Sequence, residues 1–211
     1  MDSKANSANA NRDASELGKP RIFISYSRRD VSFALRLLSY LEDHDIVVRL
    51  DQRDLPAFED WKKELITFIR DSDTIIFIIS NSSIASPVCR WEIEQVASHG
   101  KRLAPVVLER VSNDQIPEEI TRLNYIYFDD QSAFDAQAEA LLRALLTDIQ
   151  WVQSHSRFLA RAYRWLESDK SSSYAARGGE LVEMINWAKQ RPASAPPIGA
   201  PLTLFLDFSQ K

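Results

Sequence analysis

The carboxylate best placed to do chemistry in this chain is Glu92. It follows Cys89 by three residues in the stretch Ser86-Pro87-Val88-Cys89-Arg90-Trp91-Glu92. On a helix, at about 100° per residue, Val88 and Val96 lie one turn to either side of it, with Cys89, Ile93 and Ala97 forming an inward stripe beside it. Glu92 is therefore expected at the margin of the buried face, and Glu94 in solvent. A carboxylate between two valines loses part of its hydration, which favours a raised pKa. The plainer reading is an ordinary surface glutamate. The loop Ser25-Tyr26-Ser27-Arg28-Arg29 gathers hydroxyls and guanidinium groups ahead of a helix, a setting suited to a phosphate. The same loop also reads as a strand-to-helix turn with a cap and exposed arginines. No glycine-rich fingerprint accompanies it, which excludes a Rossmann or P-loop site. Cys89 faces inward without a nearby base and reads as core. His44, His99 and His155 are too dispersed for zinc, and Asp51 and Asp54 lack the matching lysine or acidic pair of a metal or receiver site.

These residues need a scaffold, and the run Ile75 to Ile79 supplies its centre. Five consecutive large apolar residues leave no polar alternation, so this strand must be covered on both faces, as in a parallel α/β sheet. Ser80-Asn81-Ser82-Ser83 ends it with side chains that prefer turns and caps. Further strands are predicted over 21–26, 46–50, 102–108 and 125–128, with Pro105 placing the fourth near a sheet edge. Helices are predicted over 31–43, from Trp61 to about 70, over 88–99 closed by Gly100, and over 132–149, with a short turn at 117–120. Asp51 to Asp60, with Pro56 and four acidic residues, reads as a loop. Alternating strands and helices with short connections imply a doubly wound, flavodoxin-like parallel sheet of order 2-1-3-4-5. Its crevice lies at the carboxyl ends of strands 1 and 3. That topology alone brings Tyr26-Ser27-Arg28 and Ser80-Asn81 toward Glu92.

Outside this unit, residues 1–18 are polar and aperiodic, a disordered leader. Beyond Gln150, helices are expected over 151–168 and 180–190, a helical extension. Residues 191–211 read as a proline-rich linker, holding four of the nine prolines, followed by an apolar tail, Leu202 to Phe208, that needs burial. That ending is the kind expected of a piece of a longer protein. At 211 residues and 45% hydrophobic, the chain is long enough for one ordinary core and something smaller. A net charge of −4 without a basic, aromatic-laced stripe argues against nucleic acid as a direct partner. No apolar run approaches a membrane span, and a single cysteine fits a reducing, cytoplasmic setting.

Taken together, Phe23-Ile24-Ser25-Tyr26-Ser27 with Asp30, the Asp51 loop, Trp61, the Ile75–Ser80 strand and the Ser86–Glu92 segment resemble a TIR domain over residues 19–150. The resemblance implies one of two activities: cleavage of NAD+ at the nicotinamide–ribose bond, with NAD+ as substrate and no cofactor, or scaffolding by self-association. In the enzymatic members a glutamate three residues after a cysteine is catalytic, which here is Glu92. Tyr26, Ser27 and Arg28 would then border the ribose and phosphates of NAD+, and Trp61 and Ser86 the pocket wall. The 51–60 loop would dock on a neighbouring TIR domain, although the glycine common in that loop is missing and Leu55-Pro56-Ala57-Phe58 stands in its place. Residues 151–211 are similar to the connector that follows TIR domains in large bacterial proteins with an NTPase or repeat sensor, which implies a bacterial defence role.

Overall fold

A computed structural model of the chain describes residues 18–50 and 61–211. The elements of the first unit follow one another as β1 (Arg21–Ser25), α1 (Val31–Glu42), β2 (Val47–Leu50), α2 (Trp61–Asp71), β3 (Thr74–Ile79), α3 (Asn81–Ile84), α4 (Pro87–Ser98), β4 (Arg102–Val107), α5 (Glu118–Thr121), β5 (Ile126–Tyr127) and α6 (Phe134–Leu146). The five strands form one sheet in the order β2-β1-β3-β4-β5, and every pairing is parallel. This is the doubly wound sheet the strand–helix alternation predicts.

The sheet is buried because its strands carry large apolar side chains on both faces. All six residues of β3 are buried, each of its large side chains worth roughly 2 kcal/mol on removal from water. Ile22 and Ile24 of β1 join Ile76, Ile78 and Val106 beneath α1 and α6. On the other face, Phe23 and Ile75 meet Leu65, Ile69 and Val96, while Phe77, Ile79 and Val107 meet Cys89, Ile93 and Ile120. Pro105 sits where its missing N–H matters least, since β5 reaches only Val106 and Val107 of its strand.

Two local differences have clear causes. The serine-rich stop after β3 forms the short helix α3, because Ser80 and Ser83 close a reciprocal capping box. The Ser83 N–H donates to Ser80 Oγ at 3.0 Å and the Ser80 N–H to Ser83 Oγ at 2.9 Å. The helix expected to run to residue 149 stops at Leu146. Asp148 takes a left-handed conformation, φ 54°, which turns the chain into a new helix; Asp tolerates this region better than most residues.

That helix is α7 (Ile149–Glu167), followed by α8 (Gly178–Lys189) and α9 (Ala200–Ser209). They enclose a second core of Trp151, Phe158, Trp165, Met184, Trp187 and Phe205. The Trp151 and Trp187 rings stack at 4.6 Å, and each indole N–H donates to the other residue's carbonyl at 3.0 Å. The stretch read as linker and apolar tail contains α9, whose Leu202, Phe205 and Leu206 are buried by the chain itself. Gly100 (φ 61°) ends α4 as expected, in the left-handed region that suits glycine. A Cβ there would stand 3.2 Å from the Gly199 nitrogen, so the approach to α9 depends on this glycine.

Candidate active site

Helix α4 positions the principal residue. Pro87 occupies its first turn, and the Ser86 hydroxyl accepts a 3.3 Å hydrogen bond from the Cys89 N–H, so Ser86 is tied to starting the helix. The buried stripe comprises Cys89, Glu92, Ile93 and Val96, while Ala97 and Glu94 are exposed. Glu92 is therefore not at the margin of the buried face but in the middle of it, and 0% exposed. The reason is tertiary. Val88 and Val96 pack toward Phe23, Leu65 and Ile75, whereas Cys89 and Ile93 pack toward Phe77, Ile79 and Ile120. Glu92 lies on the seam between these two apolar clusters.

Below the seam is β1. Ser25, 1% exposed, donates its hydroxyl hydrogen to Glu92 Oε2 at 2.5 Å across 67 positions of sequence. In the sequence Ser25 reads as part of the polar loop, with no local sign that it pairs with Glu92. The available signal was strand parity, since Ser25 shares the side of β1 occupied by Phe23.

A second hydrogen bond joins the segments that follow β1 and β3, on the sheet face of Ile76 and Ile78. Ser80 Oγ donates to Asp30 Oδ2 at 2.6 Å while accepting from the Ser83 N–H. Burial raises the Asp30 pKa above its ordinary value against the lowering effect of the Ser80 hydrogen bond, and nearby Glu109 raises it further. Glu109 Oε2 in turn accepts from the Asn81 backbone and side-chain amides at 3.0 and 2.9 Å.

The remaining sequence-derived residues divide. Trp61 opens α2, and its ring meets Trp91 edge-on at 5.7 Å, which sets an aromatic pair beside Glu92 in the chain; the Lys62 ammonium lies 5.5 and 5.8 Å from the two ring centres. Ser27 is half-buried and its carbonyl accepts from the Asp30 N–H at 2.7 Å; Arg28 is exposed on a single 3-10 turn. Tyr26, by contrast, is buried in the cluster of Phe33, Phe128 and Phe134, on the sheet face away from Glu92. Strand parity again separates it from Ser25. The loop 51–60 lies outside the described residues.

Two cavities open near these loops. One of about 180 Å³ is lined by Ile79, Arg110, Tyr125 and Tyr127, and one of about 530 Å³ by Asn81, Arg90, Gln115 and Glu118; neither includes Glu92. Among the described residues, no three His, Cys, Asp or Glu side chains gather as a metal site, and no helix is long and apolar enough to cross a membrane.

Solved structures resemble this chain to different degrees. The TIR domain of the Toll-related receptor TRR-2 from Hydra magnipapillata covers 61% of this chain and 97% of its own length, at 18% identity and a TM-score of 0.51, a likeness of fold. A metazoan TIR-STING receptor from C. gigas is 25% identical over 55% of this chain and 39% of its own, with a TM-score of 0.44. The TIR domains of the activated Roq1 resistosome are 21% identical over 62% and 83%, with a TM-score of 0.40. No curated protein matches the sequence. The TIR domain family matches residues 22–142, more than half of the chain, and the chain belongs to that family.

Proposed function

We propose that this TIR domain is an NAD+ glycohydrolase, cleaving the nicotinamide–ribose bond to release nicotinamide and ADP-ribose or a cyclic ADP-ribose. The observation that carries the reading is Glu92, a carboxylate kept in a fully buried position against a strand hydroxyl, where packing alone would place an apolar residue. Buried ionisable groups cost stability, and enzymes retain them where charge must be met in a low dielectric.

The reaction suits a single carboxylate. Nicotinamide carries a positive charge in NAD+ and leaves as a neutral base with the bonding electron pair, so its departure needs little acid catalysis. Positive charge then develops on the ribose through an oxocarbenium-like state. A carboxylate beside the ribose stabilises that charge and is worth more where water is excluded. Water adds its oxygen to the anomeric carbon and loses a proton, giving ADP-ribose; attack by a nucleophile of the same nucleotide gives a cyclic product. Exposed Arg28 supplies a guanidinium for the phosphates, and the Trp61–Trp91 pair an aromatic wall.

A substrate reaches Glu92 only if the seam opens. Activity is therefore assigned to an assembled state in which a neighbouring TIR domain, through its 51–60 loop, helps complete the pocket. Such assembly fits a cytoplasmic switch in bacterial defence signalling, driven by a sensor or NTPase module joined to or associated with the helical extension. The complete burial of Glu92 also favours a second reading, a non-catalytic scaffold that signals through homotypic contacts.

Nicotinamide release from NAD+ at high protein concentration with a crowding agent separates the two. Wild type is expected to turn over, and Glu92→Gln to lose about a hundredfold or more. Equal release by both proteins, or none by wild type in demonstrably assembled samples, overturns the enzymatic reading in favour of the scaffold.

A further inference from the structure

We propose that Ser25 is a positioning residue for Glu92, holding its carboxylate ionised and correctly aimed for cleavage of the glycosidic bond. Its kinetic consequences rest on the glycohydrolase reading; its electrostatic consequence belongs to the free protein.

Three observations lead to it. First, both partners are sequestered, Ser25 at 1% and Glu92 at 0% exposure, so the bond is shielded from bulk water. Second, the Ser25 hydroxyl donates directly to Glu92 Oε2, a side-chain contact across the sheet–helix interface. Third, the two come from unlike supports. Ser25 is held in β1, paired in register with Phe77 at the sheet centre, while Glu92 extends from α4 on three rotatable bonds. A donor fixed in a central strand therefore limits which way the carboxylate points. Phe23, two residues earlier on the same side of β1, shows what packing alone puts there. A hydroxyl facing a carboxylate at this depth fits orientation of charge better than stability.

The test uses Ser25→Ala and Ser25→Thr in the whole chain, with thermal melting as the folding control. Under assembling conditions, Ser25→Ala is expected to lower kcat for nicotinamide release about tenfold with little change in KM, the loss of one hydrogen bond to a charged group. The acid limb of its pH–kcat profile moves to higher pH, because the hydroxyl no longer favours the ionised form. Ser25→Thr, which keeps the hydroxyl, recovers most of the rate. Without NAD+, infrared titration of the carboxyl band that Glu92→Gln removes should show the protonated form persisting to higher pH in Ser25→Ala than in wild type. An unshifted titration overturns the proposal whatever the activity, as does a folded Ser25→Thr impaired as much as Ser25→Ala. A shifted titration in a protein that releases no nicotinamide even when assembled leaves Ser25's role standing and removes the glycohydrolase reading.

Discussion

Replacing Lys101 with Met should stabilise this protein at neutral pH and abolish part of its response to alkali. Lys101 starts the turn into β4 and is 3% exposed. Its ammonium donates to the Ser72 carbonyl at 2.8 Å and to Ser156 Oγ of α7 at 3.1 Å, so it lies where the helical extension meets the sheet unit. Burial depresses its pKa from 10.5 to about 7, against the smaller raising effect of Asp73. The linkage follows. Above the unfolded value of 10.5 neither state holds the proton, and the site carries no charge penalty. As pH falls from there toward 7, the unfolded chain holds the proton while the folded one does not, and stability falls by about 1.4 kcal/mol per pH unit. Below 7 both states hold it, and a penalty on the order of 5 kcal/mol is fully present. Met has similar length and no charge. The Ser72 carbonyl keeps the Ser156 hydroxyl as a donor at 3.3 Å, so the variant leaves no buried carbonyl stranded. Urea unfolding of both proteins between pH 6 and 10 should show Lys101→Met more stable at pH 7, with an advantage that shrinks toward pH 10. A difference independent of pH, or a Met variant weaker at pH 7 by more than about 2 kcal/mol, would refute the reasoning. The second result would mean that the hydrogen bonds outweigh the buried charge.

Two further perturbations probe the extension. His155 lies beside the stacked Trp151 and Trp187 rings, 5.6 and 5.7 Å from their centres, and its pKa is pushed down to about 3, first by burial and then by the charge of Lys101. Its contribution to stability is present above pH 6.5 and lost as pH falls toward 3, so His155→Phe should flatten the pH 4 to 7 dependence of the urea midpoint; an unchanged dependence counts against it. Gly100→Ala places a Cβ at φ 61° and 3.2 Å from the Gly199 nitrogen. It should cost about 1–2 kcal/mol and speed hydrogen exchange in α9, and wild-type exchange there would mean that this approach adjusts without strain.

The sequence by itself determined the sheet. Ile75 to Ile79 carry no polar residue, and a strand so composed is stable only when covered twice, so the parallel order and the flanking helices followed from pattern and connection length. Glu92 stood out as a candidate through the residues the chain shares with TIR domains, while Ser86-Pro87 was legible as the helix start and Gly100 as its end, because caps and turns depend on a few neighbouring residues. What lay beyond the sequence depended on distant partners. Helical spacing put Glu92 beside the apolar stripe, but the stripe's true centre is set by two clusters drawn from β1, β3, α2 and α5, which turn α4 until Glu92 lies between them. The same limit hid Ser25 as its partner, sent Tyr26 to the opposite face, and packed Leu202, Phe205 and Leu206 of the apolar tail into the second core. Periodicity reports which residues must be covered; only the packed structure decides what covers them, since that depends on contacts between segments far apart in the chain.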